Sequence, residues 1–319
     1  MKLETGNLID DLNRWYKAYI DNITALSFSS NTIELYKRSI DMFVEYSHDY
    51  QEDMNISDVK SIYITGYLAY IENNARLNGK KPKNGTYLSK STKNSYLKGI
   101  RNLFSFISDN NDELRSFDSM FKKIKIADSS KREEKLVHFS EEEIEKLLIS
   151  LEREKRKKDT YMSMRNSLLV KLLLFSGLRI SEALGVTTSA FKEKDEIYTI
   201  DVYGKGQKEQ TAYIKKTEIE DEIDYFKSKL EEEQLIMQTA SGAQLDRSNA
   251  YIIANRIYKK AGIRKTGLHV LRHTLAMRLV KKDTNPLIIK KVLRHSSINS
   301  TMVYAKASEG DVSESLGRL

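Results

Sequence analysis

Apolar residues recur every three or four positions along most of the first 126 residues, which is the spacing of amphipathic helices. The first apolar face comprises Leu12, Trp15, Tyr16 and Tyr19. A second face follows Asn31 and Glu34, which have the spacing of a capping pair, and two more cover residues 59–75 and 91–108. We therefore predict that residues 1–126 form an all-helical domain.

The helical period stops over residues 127–139, and we interpret this stretch as a linker. Ser140 and Glu143 then have the spacing of a capping box, which marks the start of a new helix. A second domain is therefore predicted over residues 140–319.

Two β-prone runs within residues 197–214 flank the sequence Gly-Lys-Gly-Gln, which predicts a β-hairpin with Lys205 at its tip. Helical patterns follow over residues 217–235 and 248–261. The predicted fold class is mainly α, of the α+β type: an N-terminal helical bundle, then a mostly helical domain with a small hairpin or sheet.

The composition of the chain indicates which binding partners and which cellular environment it fits. The chain has 319 residues, and 53 Lys and Arg against 45 Asp and Glu leave a formal charge of +8, which fits a polyanionic partner. The absence of cysteine excludes disulfides and thiolate metal sites. Acidic residues stand near the start where a signal peptide would be apolar, and the run LLVKLLLF is too short to span a bilayer. These features predict a soluble, cytoplasmic protein.

The candidate chemistry lies in residues 269–304, which contain three of the five histidines. A helix opened by His269 would place Arg272 on the same face, and a second helix starting at Asn285-Pro286 would end near His295. Tyr304 follows nine positions later. Guanidinium groups grip phosphate oxygens, and a tyrosine hydroxyl can act as a nucleophile, so this set indicates a phosphodiester site.

A further arginine comes from SGLRISEAL, residues 176–184. Gly177 has the position of a helix C-cap, and Ser181 is interpreted as the N-cap of the next helix. Arg179 is then presented at the junction between the two helices.

An arginine after S-G-L, a lysine in a G-K-G hairpin, H-x-x-R, a later L-x-H and a tyrosine nine residues on together resemble the tyrosine recombinase (phage integrase) family. The length of the chain and the segments SGLRISEALG and YGKGQKE make it most similar to the Xer recombinases. The resemblance implies a core-binding domain followed by a catalytic domain, with double-stranded DNA as substrate and neither a metal nor ATP as cofactor.

The resemblance also implies a role for each matching residue. Tyr304 would attack the scissile phosphate and form a 3′-phosphotyrosyl link. Arg179 and Arg272 would hold the non-bridging oxygens. Glu182 would orient these catalytic groups without contacting the phosphate itself.

Lys205 would protonate the departing 5′ oxygen, with Lys208 as a competitor for this role. His269 would be the acid/base partner of the nucleophile, and His295 would donate a hydrogen bond to the phosphate. For His273 a structural role is favoured over a chemical one. A zinc site formed by His269 and His273 is the less favoured alternative, because no glutamate lies between them and the chain has no cysteine.

Two positions depart from the usual family pattern. Val270 separates His269 from Leu271 without altering the key spacing. Arg294 stands where a glycine commonly precedes the histidine. It is interpreted either as an additional contact to DNA phosphate or as a solvated surface arginine.

Two further predictions concern DNA and assembly. The polar side of the fourth predicted helix should contact DNA phosphates through Lys90, Lys93, Lys98 and Arg101. The tail after Tyr304 carries a small apolar edge, and the resemblance implies that it docks into a neighbouring protomer within a tetramer on two DNA sites. Because the helical pattern begins almost at residue 7, no additional arm-binding domain is expected before it.

The function we predict is strand exchange at a dif-like site, which resolves chromosome dimers. An integrase or resolvase of a phage, plasmid or transposon is the alternative. A non-catalytic DNA-binding protein or a type IB topoisomerase is less favoured, since the full catalytic set and a docking tail are present. The sequence leaves open whether a partner recombinase or a DNA translocase is also required.

Overall fold

The computed structural model describes residues 1–49, 54–74, 88–127, 136–157, 160–203 and 209–304. The chain divides into two compact units, residues 1–133 and 134–319. The fold is mostly helical with a small antiparallel sheet, and the predicted fold class is therefore confirmed.

The first unit contains only helices and connecting loops in its described parts. Its helices are α1 (Leu8–Ala25), α2 (Ser30–Asp49), α3 (Ser61–Asn74), α4 (Lys90–Asn110) and α5 (Asp118–Lys122), with a 3₁₀ turn at Ile56–Asp58. Its core is rich in aromatic residues, and the fully buried rings include Trp15, Phe43, Tyr67 and Phe104.

Helix α2 begins earlier than the sequence predicted. It starts at Ser30, and the hydroxyl of Ser29 accepts a 3.4 Å hydrogen bond from the backbone of Thr32. The capping role predicted for Asn31 with Glu34 is therefore wrong, because Asn31 already lies inside the first turn.

Close packing of α2 against α4 sets the orientation of α4. Gly99 has no side chain, and a Cβ at this position would lie 2.4 Å from the Cβ of Ser39. The hydroxyl of Ser39 donates a 2.6 Å hydrogen bond to the carbonyl of Tyr96. Since this face of α4 is buried against α2, the basic side of α4 is turned outward.

The second unit has a larger apolar core, which includes residues from Phe139 to Leu271. Its helices are α6 (Glu141–Lys157), α7 (Tyr161–Lys171), α8 (Ile180–Leu184), α9 (Lys216–Lys227), α10 (Arg247–Lys260), α11 (His269–Lys281), α12 (Pro286–Leu293) and α13 (Asn299–Met302). The capping box that the sequence predicted before α6 is confirmed: Ser140 and Glu143 exchange hydrogen bonds of 2.7 and 3.2 Å.

Helix α9 ends at Lys227, and the predicted continuation to residue 235 is wrong. The chain turns back after α9, and the backbone N–H of Ile236 donates to the carbonyl of Val186 at 3.0 Å. Leu235 forms an isolated antiparallel bridge with Thr187. This pairing needs extended backbone, which a helix cannot provide.

Within the described ranges three strands form an antiparallel sheet in the order β1 (Phe191–Lys194), β2 (Ile197–Tyr203) and β3 (Glu209–Lys215). The predicted hairpin corresponds to β2 and β3, in which Ile200 is paired with Ala212. Strand β1 was not predicted. The tip, with the candidate lysines at positions 205 and 208, lies outside the described residues.

None of the helices in the described ranges is both long enough and apolar enough to cross a membrane.

Gly177 connects the last buried turn after α7 to the segment that carries Arg179. A π-helical turn, Leu172–Ser176, continues α7 and stops at Gly177, whose φ is +60°. The C-cap predicted at this glycine is confirmed. A Cβ here would lie 2.9 Å from Cδ2 of both Leu275 and Leu293.

Replacing Gly177 by alanine should therefore destabilise the fold. We expect Gly177→Ala to lower the free energy of unfolding by about 2–4 kcal/mol, because left-handed strain adds to the collision with two leucine methyl groups. Gly262→Ala is the matched control: its φ is +75°, but nothing lies within 4 Å of the added Cβ. Urea unfolding compares the two variants, and equal losses would show that the leucines move aside freely.

Candidate active site

Helices α11 and α12 and the segment ending at Tyr304 form a small apolar cluster of their own. As predicted, His269 opens α11 and Pro286 opens α12. The side chain of Asn285 caps α12 by accepting a 2.8 Å hydrogen bond from Leu287. His295 therefore lies just past the end of α12, and Tyr304 just past α13.

Arg272 is the buried cation at the centre of this arrangement. Its guanidinium donates hydrogen bonds to the carbonyls of Gly177 and Leu293, the residues that end the π-helical turn and α12. Burial lowers the pKa of Arg272 to about 10, and the positive charges of Arg179 and Arg294 contribute. Arg272 remains charged at neutral pH.

Arg179 is held by a carboxylate one turn further along. Its backbone N–H donates to Glu182 Oε2 at 2.8 Å, and its Nη1 donates to Oε1 at 2.7 Å. Arg179 is therefore the N-cap of α8, and the sequence prediction of Ser181 as N-cap is wrong. Burial opposes ionisation of Glu182, but the bond from Arg179 and the charge of Arg294 together hold its pKa below the ordinary value.

Arg294 is not a solvated surface residue, and that alternative is corrected here. It has a left-handed φ of +53° at the C-cap of α12, and its side chain is buried. Its Nη2 donates to Glu182 Oε2 at 2.9 Å and to Gly177 O at 3.0 Å. Its own carbonyl accepts a 2.9 Å hydrogen bond from Arg179 Nη2.

Tyr304 lies between two histidines. Its hydroxyl is 2.6 Å from His273 Nδ1. On its other side, the ring of His295 is nearly parallel to the phenol ring, with an interplanar angle of 10° and 6.2 Å between centroids. His295 is itself fixed by a 2.9 Å hydrogen bond between its Nδ1 and Thr301 Oγ1.

The environment keeps these groups uncharged at neutral pH. Burial, with nearby positive groups, lowers the pKa of His273 and lowers that of His295 to about 4. Partial desolvation lowers the pKa of His269 in the same direction. Burial raises the pKa of Tyr304, although the charge of Arg272 opposes the rise. When its ring proton is on Nε2, neutral His273 accepts the hydrogen bond of the Tyr304 hydroxyl at Nδ1.

His269 has a different position from His273. It is exposed at the start of α11, with 6.4 Å between the two imidazole centroids. A cavity of about 780 Å³ borders both histidines and is lined on its far side by Arg247, Tyr251 and Ile252 of α10. His269 is therefore accessible from the solvent side of the site.

The site can now be compared with known proteins. Residues 138–310, more than half of the chain, match the phage integrase family. The chain belongs to the phage integrase family. The tyrosine recombinase XerH of Campylobacter jejuni is 31% identical over 227 residues, which are 68% of this chain and 62% of XerH. The matched region thus spans less than two thirds of that relative.

Two other comparisons extend over nearly the whole chain. The tyrosine recombinase XerD of Oceanobacillus iheyensis is 24% identical and covers 88% of this chain and 89% of its own. A solved structure of XerH bound to a palindromic difH substrate, a post-cleavage complex, has a TM-score of 0.81 at 22% identity. It covers 99% of this chain and 98% of its own. The predicted resemblance to the Xer group of this family is confirmed.

The structure brings together most of the residues that the sequence singled out in this integrase family member. Shared contacts and electrostatic interactions link Arg179, Glu182, Arg272, His269, His295 and Tyr304. Sequence reasoning underrated His273, which contacts the tyrosine hydroxyl directly. The position of His273 next to Arg272 indicated that it lies near the site. Its contact with Tyr304, 31 positions later, could not be predicted from the spacing of the two residues.

The zinc alternative finds no support in the described part of the chain. No group of three or more potential metal-ligating side chains occurs there. One member of the proposed pair, His273, directs its Nδ1 at Tyr304.

The predicted DNA-contacting residues of α4 differ in their surroundings. Lys90, Lys98 and Arg101 are exposed. The guanidinium of Arg101 lies 5.6 Å from the ring centroid of Phe121. Lys93 forms an ion pair with Glu72, so part of its charge is already neutralised.

We expect Arg294→Ala to lower the free energy of unfolding by about 3–5 kcal/mol, because it breaks a buried ion pair and leaves the Gly177 carbonyl short of a donor. Arg294→Gly should cost about 1 kcal/mol less than alanine, since glycine relieves the left-handed strain at φ +53°. Urea unfolding measures both variants. A loss below about 1 kcal/mol for alanine would show that the pair with Glu182 adds no net stability.

Proposed function

We propose that the protein is a site-specific DNA recombinase that cleaves and rejoins DNA through a 3′-phosphotyrosine intermediate on Tyr304. The observation that carries this proposal is the position of the Tyr304 hydroxyl, which is hydrogen-bonded to an imidazole and experiences the charge of a buried arginine. Membership of the phage integrase family supports it.

Arg179 and Arg272 are the proposed ligands of the scissile phosphate. A guanidinium has five N–H donors, and the contacts described above use two from the side chain of each arginine. Both groups are held by protein carbonyls or by Glu182 before DNA arrives. Such fixed positive charge stabilises the negative charge that develops on phosphate oxygens during attack.

The proposed cleavage step forms a bond between Tyr304 Oη and phosphorus while the bond from phosphorus to the 5′ oxygen breaks. The phenolic proton passes to a base, and the 5′ oxygen receives a proton from Lys205, the role that family membership suggests. The phosphotyrosine conserves the energy of the broken bond, so rejoining needs neither ATP nor a metal. His269, exposed beside the cavity, and His295 are proposed to contact the phosphate.

The proposed substrate is a dif-like site at which chromosome dimers are resolved. The supporting observations are the similarity to XerH and XerD and the fold shared with an XerH–difH complex. The alternative, an integrase or resolvase of a mobile element, would use the same chemistry. The genomic location of the bound site distinguishes the two functions.

Assembly follows from the chemistry. Complete exchange between two duplexes cuts four strands, and each chain supplies one nucleophile, Tyr304. Four copies on two DNA sites are therefore proposed, with the tail, residues 305–319, linking neighbours. The tail lies outside the described residues.

The nucleophile is tested with a suicide DNA substrate, nicked near the cleavage point so that the short fragment escapes. The site itself would first be isolated by selecting bound genomic fragments. In EDTA, wild type should give a covalent protein–DNA band on a denaturing gel, and Tyr304→Phe should give none while still binding DNA.

Tyr225→Phe is the matched control, because it removes a phenol from α9 in the same unit. It should form the covalent band at the wild-type level. A band with Tyr304→Phe would show that another residue is the nucleophile. Binding without a band in wild type would favour the non-catalytic DNA-binding function.

The basic face of α4 is tested by the salt dependence of DNA affinity. Lys98→Ala should reduce the slope of log K against log salt by about 1, because one phosphate contact is lost. Lys93→Ala should change it less, since Glu72 already pairs with that lysine. Fluorescence anisotropy at several salt concentrations measures both slopes, and an unchanged slope for Lys98→Ala would place this residue away from DNA.

A further inference from the structure

The hydroxyl of Tyr304 contacts His273, not the histidine to which the family resemblance assigned acid/base chemistry. His273 Nδ1 lies 2.6 Å from Tyr304 Oη. We propose that His273 is the general base that removes the Tyr304 proton during DNA cleavage and returns it during rejoining. This inference rests on the proposed function, in which Tyr304 is the nucleophile.

The geometry around the phenol supports this assignment. The described contact of His295 with Tyr304 is ring against ring, and Nδ1 of His295 bonds Thr301 instead. His269 is exposed at the start of α11, where it can meet phosphate from the solvent side. His273, one turn further along α11, is the imidazole that places a ring nitrogen at the reacting oxygen.

The neighbours of His273 make it a weak base in the free protein and a stronger one when DNA is bound. The charged and titratable groups facing it are His269 and Arg272 on α11, His138 just before α6, His295 just past α12, and Tyr304 itself. Burial and these neighbours disfavour the imidazolium form, so proton transfer is unfavourable in the free protein. A bound phosphodiester brings a negative charge to the site and offsets that cost.

The step is balanced in both directions. As the bond from Oη to phosphorus forms, the O–H bond of Tyr304 breaks and its proton moves to Nδ1 of His273. The 5′ oxygen leaves with its electron pair and takes a proton from the general acid. In rejoining, the incoming 5′-hydroxyl gives its proton to the group that had served as the general acid and attacks phosphorus. The bond from phosphorus to Oη breaks, and the departing phenolate recovers the proton from His273.

The first test measures the single-turnover cleavage rate on the suicide substrate at saturating protein. His273→Ala should slow cleavage by about 10²–10⁴-fold with DNA affinity unchanged, which is the usual contribution of a general base. His273→Asn places an amide near the position of Nδ1 and can accept the hydrogen bond, but it cannot take the proton. It should be slow as well, whereas the control His48→Asn, at an exposed position of α2, should stay near the wild-type rate.

Three further readouts separate proton transfer from positioning. Added imidazole should partly restore His273→Ala. A substrate with sulfur as the bridging 5′ atom, which leaves without a proton, should not rescue His273→Ala. The wild-type rate should fall as the pH drops through the pKa of His273 in the DNA complex. In the free protein burial holds that pKa below the ordinary value of 6.5. His273→Asn should lack that fall.

Two outcomes would overturn the inference alone. If His273→Ala cleaves at or above the wild-type rate, the hydrogen bond only restrains Tyr304 in the free protein. If His273→Asn retains the wild-type rate and pH profile, His273 only positions the phenol. In both cases wild type still forms an adduct on Tyr304. If it forms none, or if Tyr304→Phe forms one, the proposed function fails and this inference fails with it.

Discussion

The arrangement of the site depends on the buried guanidinium of Arg272. It donates at once to the last residue of α12 and to the glycine that ends the π-helical turn after α7. Hydrogen bonds lower the cost of burying a charge, so these two carbonyls and Arg272 constrain one another. Three separate parts of the chain are thereby brought to one point, and Arg179, His295 and Tyr304 are all carried by segments that begin there.

Arg294 extends the same arrangement with a second buried guanidinium. It also donates to the Gly177 carbonyl, and it pairs with Glu182, the carboxylate that holds Arg179. A glycine here would satisfy the left-handed backbone but would supply no charge. The departure from the family pattern at this position therefore stabilises the acidic group that orients Arg179.

Local features of the fold were predictable from the sequence because they depend on neighbouring residues. The capping box before α6, the Asn285-Pro286 start of α12 and the left-handed Gly177 each follow from a few adjacent side chains. Two cap predictions, at Asn31 and Ser181, were wrong although caps are local features. The remaining errors had a different origin. The end of α9 depends on pairing with Val186, and the burial of Arg294 depends on Glu182, 112 positions away. The contact between His273 and Tyr304 is likewise a property of the packed structure.

The distribution of charge explains how the site can keep the Tyr304 hydroxyl protonated and unreactive until DNA binds. Three guanidinium groups surround a carboxylate that two of them share, so positive charge exceeds negative charge around Tyr304 before DNA binds. Burial, helped by this excess, lowers the pKa of His273 and His295, and burial keeps the phenol protonated. A phosphodiester is the group that would balance the excess. Its arrival would favour the imidazolium that forms when Tyr304 gives up its proton, and the reactivity of Tyr304 would then depend on the presence of its substrate.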